Sequence, residues 1–175
     1  MNGYLVKYAL PRSPFWYINP VTSKSLTFIA DAMLGKLARW LRILGYDVVY
    51  EHFISDDGLI ARAIQEHGII LTMDRKLTER KSAKNSLLIR SPYYREQLKQ
   101  VITSYHVDYQ SGIFTRCLPC NTLLDRIDKE QIKDKVPPYV YSTQDEFDIC
   151  HQCNRLYWSG THRVKMLEML EEILK

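Results

Sequence analysis

Apolar and polar positions follow no clear period over residues 1–24 and become regular from residue 25. Residues 25–30 (SLTFIA) form a short apolar run, which predicts a strand. Over 32–44 (AMLGKLARWLRIL) the period lengthens. Met33, Leu37, Trp40, Leu41 and Leu44 fall on one helical face, while Lys36, Arg39 and Arg42 fall elsewhere. Gly45 follows as a C-terminal helix glycine would. The same alternation then repeats. Residues 47–50 (DVVY) predict a strand, and 57–67 a helix with Leu59, Ile60, Ala63 and Ile64 inward. Residues 69–73 (IILTM) predict a strand, 75–84 a basic helical stretch, 86–90 (SLLIR) a strand and 93–105 a longer helix. Strands alternating with helices predict an α/β domain built on a mainly parallel sheet, with apolar strands covered on both faces.

After about residue 112 the pattern changes. Residues 117–153 hold two Cys-x-x-Cys pairs, the adjacent Pro137 and Pro138, and several short extended stretches, which predict a zinc ribbon. Residues 161–174 predict an amphipathic helix through Val164, Leu167, Leu170 and Ile173. The expected organisation is an irregular extension over 1–24 that packs through Phe15, Trp16 and Tyr17, an α/β domain over 25–112, and a ribbon with a C-terminal helix over 113–175.

Composition narrows the class. With 46% hydrophobic and 25% charged residues, the 175-residue chain can bury a core, and disorder is not expected. No apolar run approaches the about 18 residues a membrane helix needs. The first residues lack the apolar core and small-residue cleavage site of a signal peptide, so a cytoplasmic setting without a membrane partner is expected. The net charge of +4 mildly favours an anionic partner such as nucleic acid.

The candidate chemistry begins with acids at the strand ends. Asp31 and Asp74 directly follow predicted strands, and Asp56 and Asp57 lie in the loop after another. In a parallel sheet all strand C-termini share one edge, where open α/β sheets place their ligands. Each position also opens a helix, where aspartate is a favoured cap. Capping would be served equally by Ser, Thr or Asn, yet an acid stands at each of these junctions. Clustered like charges are costly unless a cation neutralises them, and carboxylates suit Mg²⁺ or Mn²⁺. Lys36, Arg39 and Arg42 lie nearby on the first helix. Arg75, Lys76, Arg80, Lys81 and Lys84 crowd the segment that opens with Asp74, giving residues 74–84 a net charge of +3. Carboxylate-bound metal beside a basic rim is the arrangement for phosphodiester hydrolysis. An aspartyl-phosphate phosphatase would carry a second acid two residues after the first, where this chain has Met33. A dinucleotide site would need a glycine-rich turn, where only Gly35 is present.

Cys117-Leu-Pro-Cys120 and Cys150-His-Gln-Cys153 stand 29 residues apart. Two such pairs make a closed tetrahedral zinc site, and the charged segment around DRIDKEQIKDK is expected to loop out between them. Four thiolates leave no open position, so this zinc is structural and not catalytic. Arg116, Asn121, Arg155, Tyr157 and Trp158 flank the knuckles, with Tyr157 and Trp158 expected to pack on the last helix or to face a ligand. His162, at the start of that helix, is a candidate phosphate contact or a packing residue.

The runs DAMLGKLARWLRILGYDV, SDDGLIARAIQEHGIILTMDRKL, RCLPCN and FDICHQCNRLYWSGTH, in this order, resemble the Mut-seven C-terminal ribonuclease domain family, a branch of the PIN-like nucleases with a fused zinc ribbon. The likeness implies a three-layer PIN-like sheet and divalent-metal-dependent cleavage of RNA that leaves a 5′ phosphate. It also implies catalytic, metal-binding acids at Asp31, at Asp56 after its serine, and at Asp74. Asp57, one place beyond Asp56, is the alternative. Met73 stands where arginine is usual in the family's Thr-Arg-Asp motif. From their positions on the first helix, after Asp74 and at the start of the last helix, the candidate phosphate contacts are Lys36, Arg39, Arg42, Arg75, Lys76 and His162. Two rivals remain: a non-cleaving RNA- or ribosome-binding module with the same ribbon, and a protein-interaction adaptor whose acids only cap helices.

Overall fold

The structure, a computed structural model, describes residues 26–108 and 111–174, the side chains of Thr161 and His162 excepted. Phe15, Trp16 and Tyr17, with the packing expected of them, lie outside the described residues. Strands β1 (Thr27–Ala30), β2 (Asp47–Tyr50), β3 (Ile69–Thr72) and β4 (Ser86–Leu88) pair in parallel, in the order β2-β1-β3-β4. Successive side chains leave opposite faces of a strand, and here both faces are covered. Phe28, Ala30, Val48, Ile69 and Leu71 enter one core with helices α1 (Gly35–Ile43), α4 (Tyr94–Tyr105) and α6 (Thr161–Leu174). Ile29 and Ile70 enter the other, with α2 (Asp56–Gln65) and α3 (Arg75–Thr78). The result is a sheet between two helical layers.

The strand order places β1 beside both β2 and β3. The chain leaves β1 through α1 towards β2, then passes through α2 on the other face to β3. Such a reversal opens a crevice at the strand C-termini. The strands flanking it, β1 and β3, are those followed by Asp31 and by Met73-Asp74.

Three helical expectations are corrected. The helix expected over 32–44 begins as a 3-10 turn, Ala32–Leu34, with Leu34 N–H bonded to the Asp31 carbonyl at 2.8 Å. The tighter winding takes Met33 off the buried stripe, leaving it 71% exposed. Ile64 is also exposed, because Leu59, Ile60 and Ala63 already fill the inward face of α2. Residues 75–84 are not one helix: α3 ends at Thr78, Arg80 is extended, and Lys81–Ala83 is a second 3-10 turn. Leu77 and Ala83 bury in the same core, whereas a continuous helix would set them about 120° apart.

The second sheet is antiparallel, β5 (Asp125–Ile127), β6 (Phe147–Ile149) and β7 (Leu156–Trp158) in that order. The segment expected to loop out between the cysteine pairs is ordered instead. It forms β5, a 3-10 turn at Lys129–Ile132 and helix α5 (Pro138–Thr143), and it buries Ile132 and Val136 against Phe147. The first knuckle covers the edge strand β2, which would otherwise present unpaired backbone. Val48 N–H donates to Asn121 Oδ1 at 3.1 Å, and Asn121 Nδ2 donates to Asp47 Oδ1 at 2.7 Å. Arg42 joins the same seam: it donates to the Val48 carbonyl from Nε and Nη2, and to the Leu118 and Pro119 carbonyls from Nη1. Gly45, at φ +91°, lies so close to the Gly112 carbonyl that a Cβ would sit 2.0 Å from it. Helix α6 then returns to the first core through Leu170 and Ile173, and its Glu172 pairs with Arg95 of α4 at 3.2 Å. Among the described residues no helix is long and apolar enough to cross a membrane.

Candidate active site

Asp31 N–H donates to the Leu71 carbonyl at 3.0 Å, extending the pairing of β1 with β3 by one residue. Although Asp31 precedes the 3-10 turn, its side chain makes no cap. Its Oδ2 instead accepts a 2.6 Å hydrogen bond from Thr72 Oγ1. That hydroxyl in turn accepts from Asp74 N–H at 3.0 Å. Thr72 is wholly buried, so a single fixed hydroxyl ties the two acidic turns together. Asp74 does cap: its Oδ1 accepts from Lys76 N–H at 2.7 Å. Capping therefore accounts for one oxygen of Asp74 and for neither oxygen of Asp31.

The β2–α2 loop is arranged differently. Ser55 is the cap of α2, accepting from Gly58 N–H at 3.2 Å. Asp56 and Asp57 occupy the first turn, and Arg80 clamps both, with Nη2 on Asp56 at 2.7 Å and Nη1 on Asp57 at 2.9 Å. The Asp57 side chain is almost fully exposed, and that of Asp56 about half as much. Among the described residues, the only set of three or more potential ligands with donor atoms within 4.8 Å of one another is formed by the cysteines. The structure thus joins Asp31 to the Asp74 backbone through Thr72 and holds Asp56 on Arg80.

Around the start of α1 lies a cleft of two cavities, 550 and 490 Å³, whose linings share Gly35 and Tyr50. The larger lies between Met33, Lys36 and Tyr93, and the other lies between Arg39 of α1 and Leu118 and Arg155 of the ribbon. Tyr50 donates from its hydroxyl to the Ala32 carbonyl at 3.0 Å and packs against Gly35, where a Cβ would come within 2.8 Å of that hydroxyl. Glycine at this position lets the ring close over the start of α1.

The four cysteines meet with all Sγ atoms within 4.8 Å and could hold a zinc ion. The two knuckles repeat one backbone design. Asn121 and Asn154, each just after its second cysteine, adopt positive φ of 66° and 56°. Their N–H groups bond to the carbonyls of Cys117 and Cys150 at 2.8 and 2.7 Å. Asparagine tolerates that left-handed turn better than most residues. Around Cys150, burial raises the thiol pKa, but the Thr122 hydroxyl at 3.2 Å and the Cys153 amide outweigh it and bring the value to about 6. Cys120 is pushed up to about 12, chiefly by its hydrogen bond to Cys153 and then by burial. A bound metal ion would hold the sulfurs as deprotonated thiolates. The Tyr157 hydroxyl donates to Cys117 Sγ at 3.2 Å and accepts from Leu118 N–H at 3.3 Å. His151 lies outside the sulfur cluster, 3.2 Å from Asp125.

The model of the Mut7-C RNAse domain matches residues 26–170. The chain belongs to the Mut7-C RNAse domain family. No curated protein and no solved structure matches it. The Mut7-C match runs through the parallel sheet, both cysteine pairs and most of α6, and it ties the chain to a nuclease or RNA-related role. Within this Mut7-C domain the expected phosphate contacts separate. Lys36 and Arg39 line the cleft, and Arg75 and Lys76 are exposed beside Asp74. Arg42 is a correction. It is 8% exposed, and four of its five N–H donors are spent on carbonyls, so it ties α1 to β2 and the ribbon and is not free for phosphate. The side chain of His162 lies outside the described residues. Thr72, Tyr50 and Tyr93 were not anticipated. The available sign for Thr72 was a hydroxyl closing an otherwise apolar strand two residues before an acid.

Proposed function

We propose that this Mut7-C domain is a ribonuclease that hydrolyses RNA phosphodiester bonds with Mg²⁺ or Mn²⁺ at Asp31, Asp56 and Asp74, and that the cysteines hold a structural zinc ion. The observation that carries this is the Asp31–Thr72–Asp74 linkage. The Asp31 carboxylate receives one buried hydroxyl and caps nothing, so its other oxygen remains a hard donor at the end of β1, of the kind a small divalent cation takes. A cation bound there would supply an acidified water and neutralise charge on the leaving oxygen. The chain's part is to hold that geometry. Thr72 fixes the rotamer of Asp31, and Asp74 is fixed by its bond to the α3 backbone. Lys36, Arg39, Arg75 and Lys76 provide the positive rim that draws in phosphate.

The test is incubation of the purified protein with mixed RNA in Mn²⁺, Mg²⁺ or EDTA. Cleavage should appear with either cation, vanish in EDTA and return when the cation is restored. RNA binding without cleavage under all conditions would establish the non-cleaving module instead.

Asp56 is the third acid, and its bond to Arg80 must open before it can reach a cation. Arg80→Ala is therefore expected to tighten Mn²⁺ binding several-fold in a calorimetric titration. Stability should change by no more than about 1 kcal/mol, since the pair is half-exposed. Unchanged Mn²⁺ affinity would remove Asp56 from the ligand set and leave it a partner of Arg80 alone.

A further inference from the structure

We infer that Gln97 tells ribose from deoxyribose: its side-chain oxygen takes the proton of a 2′-hydroxyl on a nucleotide held in the recess at the start of α1. This rests on the ribonuclease reading and adds a specificity-determining residue on α4, apart from the acids and the basic rim. Gln97 is 4% exposed, and a buried amide is costly unless both of its ends are paired. One end is paired. Nε2 donates to the Ser91 carbonyl at 2.9 Å and has the Met73 sulfur, a weak acceptor, at 4.0 Å. Only the amide NH₂ can donate to a carbonyl, so this bond fixes which end is oxygen. Oε1 accepts from no described residue. Every fully buried side-chain nitrogen or oxygen among the described residues has a partner, so the unpaired Oε1 is open to solvent. It opens on the 550 Å³ recess that Gln97 lines with Ala32, Met33, Lys36 and Tyr93.

Gln100, one turn further along α4, shows a purely structural amide in the same setting. Its Nε2 donates to the Leu88 carbonyl at 2.8 Å, and its Oε1 accepts from Arg90 N–H at 3.1 Å. Both glutamines brace the connection from β4 into α4, and Gln97 does so with one end left over.

A fixed oxygen without a proton repels phosphate oxygens and requires an O–H or N–H donor. Lys36, with Nζ 5.8 Å from the centre of the Tyr94 ring, supplies the same recess with a cation for phosphate. A nucleotide offers a donor on its base edge, where the pattern changes with the base, or at the 2′-hydroxyl, which every RNA nucleotide carries next to its 3′ phosphate. One acceptor set with one cation fits the second, and that hydroxyl is what separates RNA from DNA. The recess starts at Ala32, directly after Asp31, so the sugar is read next to the proposed cation.

The test uses the full chain with oligouridine, its all-deoxy counterpart and its all-2′-fluoro counterpart. Fluorine keeps an electronegative atom at the 2′ position without a proton. Cleavage is measured in Mn²⁺, and affinity without added Mg²⁺ or Mn²⁺. The wild-type protein should favour ribose over both analogues by about ten-fold or more, as expected when a hydrogen bond is lost and its acceptor left unpaired. Gln97→Met should bring the three within about two-fold, since no acceptor remains to be left unpaired. Gln97→Glu, which keeps an acceptor, should preserve the preference at lower affinity. Gln100→Met, which removes two backbone bonds from the same helix, should leave the ratio unchanged. Equal handling of the three sugars by the wild-type protein would overturn the inference, as would a wild-type ratio in Gln97→Met. A preference present on oligouridine and missing on oligocytidine would also overturn it, by making Oε1 a base contact. In each of these cases continuing RNA cleavage would leave the ribonuclease reading intact. If RNA is bound but not cut, the affinities decide the role of Gln97 and only the ribonuclease reading falls. If RNA is neither bound nor cut, both fall.

Discussion

Asp31→Asn is expected to lose RNA cleavage by about 100-fold or more while the domain stays folded. Asparagine keeps the size of the side chain, caps a helix about as well as aspartate, and can still accept a hydrogen bond from Thr72 through its amide oxygen. Only the charge and one carboxylate oxygen are lost, and these are what a divalent cation uses. Single-turnover cleavage at saturating Mn²⁺, set beside denaturant melts without metal, separates the two roles. A structural acid predicts lower stability with intact metal binding. A metal ligand predicts equal or greater stability without metal, since one negative charge leaves the crevice edge, together with lost Mn²⁺ affinity. Wild-type cleavage by the variant would assign the activity to another site. Thr72→Val, nearly isosteric, would isolate the positioning hydroxyl.

Removal of zinc should have the largest effect on stability. The ribbon's core consists of little more than Ile132, Val136 and Phe147, too few groups to hold three short strands without a staple. Structural zinc sites contribute about 10–16 kcal/mol of apparent binding free energy in small domains. One zinc per chain is expected by elemental analysis of protein purified without chelator. Cys120→Ser should raise hydrogen exchange throughout residues 117–158 while β1 and β3 stay protected. The Val48 amide should lose protection with the ribbon, because its partner is Asn121 Oδ1. Zinc-free protein with a well-protected ribbon would refute this account.

Much of the molecule is legible along the chain because its periods are local. The α/β alternation, the ends of β2 and the span of α6 follow from runs of Val, Ile and Leu and from a helical stripe, each contained within one element. The cysteine cluster is legible because two close pairs leave few alternatives. The acids at the ends of β1 and β3 are legible because parallel strands bring their C-termini to one edge.

Tertiary structure decided what each charged group does, because that depends on which partner arrives from far along the chain. Arg42 and Arg39 sit three residues apart on the same basic helix. The knuckle carbonyls, more than 70 residues away in the chain, take Arg42 into the seam and leave Arg39 at the cleft. Asp31 and Asp56 look alike as acids beside a predicted helix. Thr72 reaches the first from a neighbouring strand and Arg80 reaches the second from the break after α3. Helix α6, next to the ribbon in sequence, buries Leu170 and Ile173 against the sheet's own core. Periodicity states that a face must be buried, but only the folded chain determines which surface buries it, since hydrophobic burial has no direction of its own.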